Sequence, residues 1–346
     1  MFRLPEALAL ESGEVLPDVR LAYRTWGTLN AAGDNAVLVC HALTGSADAD
    51  NWWPGLIGEG APLDPARDFI VCSNVLGGCY GSSGPFWPNA DGSGDPVGTA
   101  FPEVTVRDMV RAQHALINAL SINKLKLVIG PSLGGMQVME WAASYPDLVG
   151  AIAPIGVSAR HSAWCIGIGE AQRQAIGADP NWRDGRYRAS AIPARGLAAA
   201  RMMAMVTYRS WENFESRFPR APDQTTGFDV QSYLSYQGDK LVERFDAASY
   251  YRLTQAMDSH DISRGRFPDI IAALRAIVCP ALIVSVSSDV LYPPHEQGFM
   301  ASHMPHAVYR TLESPHGHDG FLIDLAPLSE LINEFLAALP SRVSAA

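Results

Sequence analysis

The sequence predicts an α/β protein: a mostly parallel sheet with helices on both faces, interrupted by an inserted block of helices. Three observations predict it. Short apolar runs of strand length alternate with stretches of helical periodicity, the pattern left by parallel strands joined through crossover helices. A turn bearing Gly and Ser sits between one strand-like run and the helical stretch after it. From about Arg160 to Pro268 no run reads as a buried strand.

Taken in order, residues 36–41 (AVLVCH) and 69–73 (FIVCS) read as buried strands. Residues 106–120 carry Met109, Val110, Leu116, Ile117 and Leu120 at helical spacing, with Thr105 placed to cap the helix. Residues 125–130 (LKLVIG) form a strand, and residues 134–144 a helix that ends near Pro146. Residues 149–155 read as another strand. Helical spacing then appears around 170–176, 196–205 and 231–244. Strands return at 281–286 and 308–312, and residues 328–339 close the chain as a helix. The expected division is a core of residues 1–159 and 269–346 with a helical lid at 160–268. The lid holds 15 basic and 12 acidic residues, so it is locally basic on an acidic body.

Composition narrows the function. The 346 residues are 48% hydrophobic and 18% charged, enough to bury a large core and unlike a disordered chain. A net charge of −10 speaks against a sequence-independent nucleic-acid binder, which needs a basic face for phosphates. Apolar runs break well before the ~18–20 residues of a membrane span. Acidic residues occupy the N-terminal stretch where a signal peptide would be apolar, so a cytoplasmic location is expected. Five widely spaced cysteines without a CxxC pair signal neither disulfides nor a metal site. Cys40 and Cys72 read as buried inert thiols.

Gly130-Pro131-Ser132-Leu133-Gly134 matches G-x-S-x-G between a strand and a helix, the context of a nucleophile elbow. The glycines permit a tight turn, and the helix start favours developing negative charge. A serine needs a base and an acid to orient that base. On such sheets they follow in the order acid, then histidine. Asp289 comes just after the strand 281–286, and His316 and His318 share the loop after the next strand. Spacing leaves both histidines open as the base. The backbone N–H of Leu133 and that of Leu43, in the loop after the first strand, are the expected oxyanion donors. His41 reads as a structural histidine, since the base is supplied elsewhere. The Gly-rich run 77–84 lacks a GK[ST] ending, so it reads as a surface loop near the site mouth rather than a phosphate loop.

Seven segments make the chain resemble the homoserine O-acetyltransferase family of α/β-hydrolase-fold acyltransferases. They are YRTWGTLN (23–30), NWWPGLIGEG (51–60), NVLGGCYGSSGP (74–85), GPSLGGMQVMEWA (130–142), YQGDKLVERFDAASYYRLTQAMDSHD (236–261), SDVLYPP (288–294) and SPHGHDGFL (314–322). The resemblance implies a triad of Ser132, Asp289 and His318. It also implies that Asp319 meets the amino group of the acceptor amino acid, that Arg201 meets its carboxylate, and that Tyr208 lines the tunnel admitting the acyl-CoA. Pro131, Leu133 and His316 depart from the residues usual in the family, and they neighbour the acyl pocket.

The implied reaction is ping-pong acetyl transfer from acetyl-CoA to the hydroxyl of L-homoserine, a step of methionine biosynthesis. Succinyl-CoA as donor, L-serine as acceptor, and plain esterase or thioesterase chemistry are the alternatives. The expected partners are small molecules only, with neither nucleic acid nor membrane. An acyl-CoA is expected as co-substrate, with no bound cofactor or metal. The resemblance also implies a homodimer formed through the lid.

Overall fold

The computed structural model describes residues 1–221 and 224–339. Residues 222 and 223 of the expected lid, and residues 340–346 of the expected second core segment, lie outside the described residues. The main sheet has seven strands: β1 (Tyr23–Trp26), β2 (Ala36–Val39), β3 (Phe69–Ser73), β4 (Leu125–Pro131), β5 (Ile152–Ile155), β6 (Ala281–Val286) and β7 (Ala307–Leu312). Their order is β7-β6-β5-β4-β2-β3-β1. All neighbours run parallel except β1, which lies antiparallel on β3 at one edge.

Alternate residues of the central strands feed two cores, one on each face. Leu38, Cys40, Leu125 and Val128 join one cluster, and Val37, Val39, Leu127 and Ile129 the other. This two-sided burial explains why these strands read as unbroken apolar runs. Each fully buried Leu, Ile or Val side chain contributes roughly 1.5–3 kcal/mol relative to exposure.

Helix α1 (Val106–Ala119) starts at a capping box: the Thr105 hydroxyl accepts from the Asp108 N–H at 3.2 Å, and Asp108 accepts from the Thr105 N–H at 3.1 Å. Helix α2 (Leu133–Ser144) is buried from Leu133 through Ala142, wedged between the sheet and α1.

The segment between β5 and β6 carries α3 (Ala163–Gly177), α4 (Ala194–Tyr208), α5 (Trp211–Arg217), α6 (Asp229–Val242), α7 (Ala247–Asp258) and α8 (Ile270–Ala276). Helix α4 packs between α3 and α6. A Cβ on Gly196 would lie 2.8 Å from the Ala175 carbonyl oxygen, so glycine permits this approach. The segment leaves and returns at one point: His161 N–H donates to the His260 carbonyl at 2.9 Å, and Ile262 N–H to the Ala159 carbonyl at 3.1 Å. Just past that return point a buried carboxylate, Glu140 of α2, accepts from both terminal nitrogens of Arg266 at 2.7 Å. Helices α9 (Pro294–His303) and α10 (Leu325–Ala338) complete the fold.

Candidate active site

All the expected catalytic residues lie beyond the carboxyl ends of sheet strands, where catalytic groups of open parallel sheets gather. Ser132 follows β4 directly, and it adopts φ +55° and ψ −123°. Left-handed backbone at a non-glycine residue costs about 1–3 kcal/mol and persists only where its surroundings impose it. Here the surroundings do so on both sides. Pro131 has no N–H to give the sheet, but the Ser132 N–H donates to the Ile155 carbonyl at 2.9 Å and continues the ladder. A Cβ on Gly130 would lie 2.4 Å from the Cys40 carbonyl oxygen, and one on Gly134 only 2.1 Å from it. The two outer glycines of the motif therefore let the turn press against the backbone at the end of β2.

Asp289 sits in the turn after β6, with its carboxylate fully engaged. One oxygen accepts from the backbone N–H groups of Leu291 (2.8 Å) and Tyr292 (2.9 Å), and the other faces His318 Nδ1 at 2.6 Å. Asp289 and His318 are both buried. Three serines lock their loops together. Ser288 donates to the Ser314 carbonyl at 2.6 Å and accepts from the Gly317 N–H at 2.9 Å, while Ser287 accepts from the Ser314 N–H at 3.0 Å. The His318 ring packs among Tyr208, Tyr292 and Phe321, with centroids 5.7, 5.2 and 5.0 Å away. With Nδ1 committed to Asp289, the buried Nε2 is the ring nitrogen left to exchange a proton, and it has no hydrogen-bond partner among the described residues. His316, the other histidine of this loop, instead meets the Asn213 amide at 3.0 Å.

The N–H of Leu133 opens α2, where the first four N–H groups have no partner within the helix. Leu43 is buried in the turn after β2. Gly45 N–H donates to the Ala42 carbonyl at 2.9 Å across that turn.

Arg201 and Tyr208 lie on one face of α4, two turns apart, with the Arg201 guanidinium 5.4 Å from the Tyr208 ring centroid. Burial raises the Tyr208 hydroxyl above its ordinary value. Burial also raises the Asp319 carboxyl, opposed by the positive charges of Arg209 and Arg201. Arg209 Nε lies 3.2 Å from an Asp319 oxygen. That N–H makes no hydrogen bond, so the contact is a charge pair without hydrogen-bond geometry. Tyr208, expected to line the acyl-CoA tunnel, packs on His318, Asp319 follows His318 in sequence, and Arg201 lies beside Tyr208.

The profile of the α/β hydrolase fold matches residues 35–325 of this chain. The homoserine O-acetyltransferase of Trichormus variabilis is 57% identical over 98% of this chain and 94% of its own length. The chain belongs to the homoserine O-acetyltransferase family. Among solved structures, the homoserine O-acetyltransferase of Bacillus anthracis superposes with a TM-score of 0.91 at 26% identity, covering 98% of this chain and 97% of that one. An acetylester hydrolase from Corynebacterium glutamicum superposes with a TM-score of 0.87, also at 26% identity, covering 97% of this chain and 95% of that one. The family thus shares its architecture with enzymes named for hydrolysis.

A cavity of about 30 Å³ lies against the site, lined among others by Leu43, Tyr208, Tyr292, His161, Cys165 and Gln172. Burial drives His161 down to about 3 and Cys165 up to about 12, so both are neutral near pH 7. Several site residues escaped sequence reasoning. Tyr292 packs on His318 and donates its N–H to Asp289, Arg209 pairs with Asp319, and Ser287, Ser288 and Ser314 tie the two loops. Only the SSD and SPHGH clusters of small polar residues at strand ends hinted at the last of these. The Gly-rich run 77–84 needs correction as well. It is largely buried, because Ser82 and Ser83 accept backbone N–H groups of Ala22 and Arg20, and a Cβ on Gly84 would lie 2.2 Å from the Gly78 carbonyl oxygen. Among the described residues there is no cluster of metal-ligating side chains, and no helix is long and apolar enough to cross a membrane.

Proposed function

We propose that this protein transfers an acetyl group from acetyl-CoA to the side-chain hydroxyl of L-homoserine through an acetyl-Ser132 intermediate, as a step of methionine biosynthesis. The observation that carries the reading is the buried Asp289–His318 pair, 2.6 Å apart beyond the sheet ends beside the elbow, in a chain 57% identical to a named homoserine O-acetyltransferase.

In the first half-reaction His318 Nε2 takes the proton of Ser132 Oγ as that oxygen attacks the thioester carbonyl. The positive charge that forms on the ring is balanced by Asp289. The Leu43 and Leu133 N–H groups receive the oxyanion, and losing one such donor typically costs about 2.7–4 kcal/mol. The tetrahedral adduct collapses, the C–S bond breaks, and His318 returns the proton to the departing CoA thiolate. In the second half-reaction His318 deprotonates the homoserine hydroxyl, which attacks the acetyl-serine, and Ser132 Oγ recovers its proton as O-acetylhomoserine leaves. Arg201 reads the acceptor carboxylate, and Asp319 reads its ammonium. Arg can grip a carboxylate through two nitrogens. Tyr208 lines the acyl-CoA approach.

Residues 160–268 act in this scheme as a lid that keeps water from the acyl-enzyme. Their exposed Trp164, Val206, Trp211 and Tyr236 support a homodimer formed through the same helices. A second reading, ester hydrolysis, is favoured by the close superposition on an acetylester hydrolase. A matrix of acetyl- and succinyl-CoA against homoserine, serine and water separates the two. Acetyl-CoA with homoserine should be fastest. CoA release that is indifferent to any amino acid would favour hydrolysis and sink the transferase reading.

A further inference from the structure

His41 lies in the three-residue connection from β2 to Leu43, and it is 2% exposed. Its two ring nitrogens have opposite tasks. The Val75 N–H donates to Nε2 at 3.1 Å, so Nε2 carries no proton. The ring hydrogen is then on Nδ1, 2.8 Å from the Ala42 carbonyl oxygen. That same oxygen accepts from the Gly45 N–H at 2.9 Å.

The Ala42 carbonyl and the Leu43 N–H belong to one planar trans peptide and point in opposite directions. Two donors holding the carbonyl therefore fix where the Leu43 N–H points. They also polarise the amide, since hydrogen bonds in a chain strengthen one another. The turn is tight around the ring: a Cβ on Gly45 would lie 3.0 Å from His41 Cβ. The far side of the loop is tied too, because the Asn74 side chain accepts from the Ala47 N–H at 2.7 Å.

The geometry points to His41 as a positioning residue of the oxyanion hole, holding the Ala42–Leu43 peptide through Nδ1–H so that the Leu43 N–H faces the reacting carbonyl. This rests on the proposed role of Leu43. Burial lowers the ring to about 4, which keeps it neutral and keeps Nε2 available to Val75 across the working range.

Two isosteres separate the two nitrogens. His41→Asn keeps a donor near Nδ1 and loses the acceptor. His41→Gln keeps an acceptor near Nε2 and loses the donor. Acylation of Ser132 by p-nitrophenyl acetate and by acetyl-CoA is followed in both variants, together with thermal unfolding. The expected result is a fall in the acylation rate of about 10- to 100-fold in His41→Gln with little change in KM, and recovery to within about fivefold of wild type in His41→Asn. Equal rates in the two variants, or a loss confined to KM, would overturn the assignment. If either variant fails to fold, nitrogen NMR of the wild type decides: an Nδ1–H tautomer that stays neutral well below pH 6 supports it, and an Nε2–H tautomer or titration near 6.5 refutes it. The ester separates this inference from the acetyl-CoA reading. Wild-type protein that is acylated by the ester but not by acetyl-CoA would contradict the proposed donor while leaving the His41 comparison intact.

Discussion

Replacing Gly134 with alanine tests whether the elbow and the oxyanion loop work as one rigid unit. The new Cβ would sit 2.1 Å from the Cys40 carbonyl oxygen and 2.8 Å from its carbon, whereas real Cβ contacts stay beyond 3.0 Å. Both sides of this contact are backbone, so no side chain can swing away. The start of α2 must retreat from the end of β2 by about 0.9 Å. That movement separates the Leu133 N–H from the Leu43 N–H by a similar distance. A misplacement near 1 Å costs roughly 10²-fold in rate, and overpacking of this kind costs about 1–3 kcal/mol of stability. Gly298→Ala in α9 is the control, because a Cβ there would meet nothing within 4 Å. The assay is pre-steady-state release of the CoA thiol, paired with thermal unfolding. Gly134→Ala should lose about two orders of magnitude in acylation, and Gly298→Ala almost none. Acylation of Gly134→Ala within twofold of wild type would refute the reasoning, as would an equal or larger loss in Gly298→Ala.

Three further outcomes are expected. Asp319→Asn should raise the KM for homoserine by about 10- to 100-fold while leaving the first CoA release near wild type; because burial raises the Asp319 carboxyl, wild-type acceptor capture should also weaken as pH falls, starting above the ordinary carboxylate range, and an acid-side profile unchanged by the substitution would contradict this. Glu140→Ala should remove the carboxylate that the half-buried Arg107 and Arg266 share, leaving Arg107 with Glu11, and cost about 1–3 kcal/mol, read as a lowered urea midpoint, and an unchanged midpoint would show that the clamp does not hold the inserted segment. His41, His161 and His260 are held by burial at about 4, 3 and 4. The unfolded chain therefore binds their protons first, so stability is full above pH ~6.5 and falls toward pH 4 at up to about 1.4 kcal/mol per unit for each histidine; urea midpoints that do not fall between pH 7 and 5 would contradict it.

The parts legible in the sequence were those whose chemistry is local. β2, β3, β4 and β6 are buried on both faces and stand out as apolar runs. The elbow is contiguous, and Thr105 announces α1 by itself. Edge strand β1 hides because Arg24 and Thr25 face solvent, so no apolar run marks it. Helix α3 begins at Ala163, seven residues before its expected start, because Gly167 and Gly169 blur the helical period. Helix α7 was missed although Asp246 caps it, accepting the Ser249 N–H at 2.7 Å. In the site, the order of Ser132, Asp289 and His318 was readable because each follows a strand. The choice between His316 and His318 was not, because it depends on which ring reaches Asp289 from a loop 29 residues away. The Arg209–Asp319 pair, the packing of Tyr292 on His318 and the His41–Val75 contact were invisible for the same reason: their partners are distant in the chain.

The most direct measurement of the central claim is the fate of the acyl-enzyme. Protein mixed rapidly with acetyl-CoA, quenched and examined by peptide mass spectrometry should carry one acetyl group on the peptide containing Ser132. Addition of homoserine should remove it far faster than water does and yield O-acetylhomoserine in equal amount. No acetyl group on that peptide, or loss at the same rate with and without homoserine, would contradict the account.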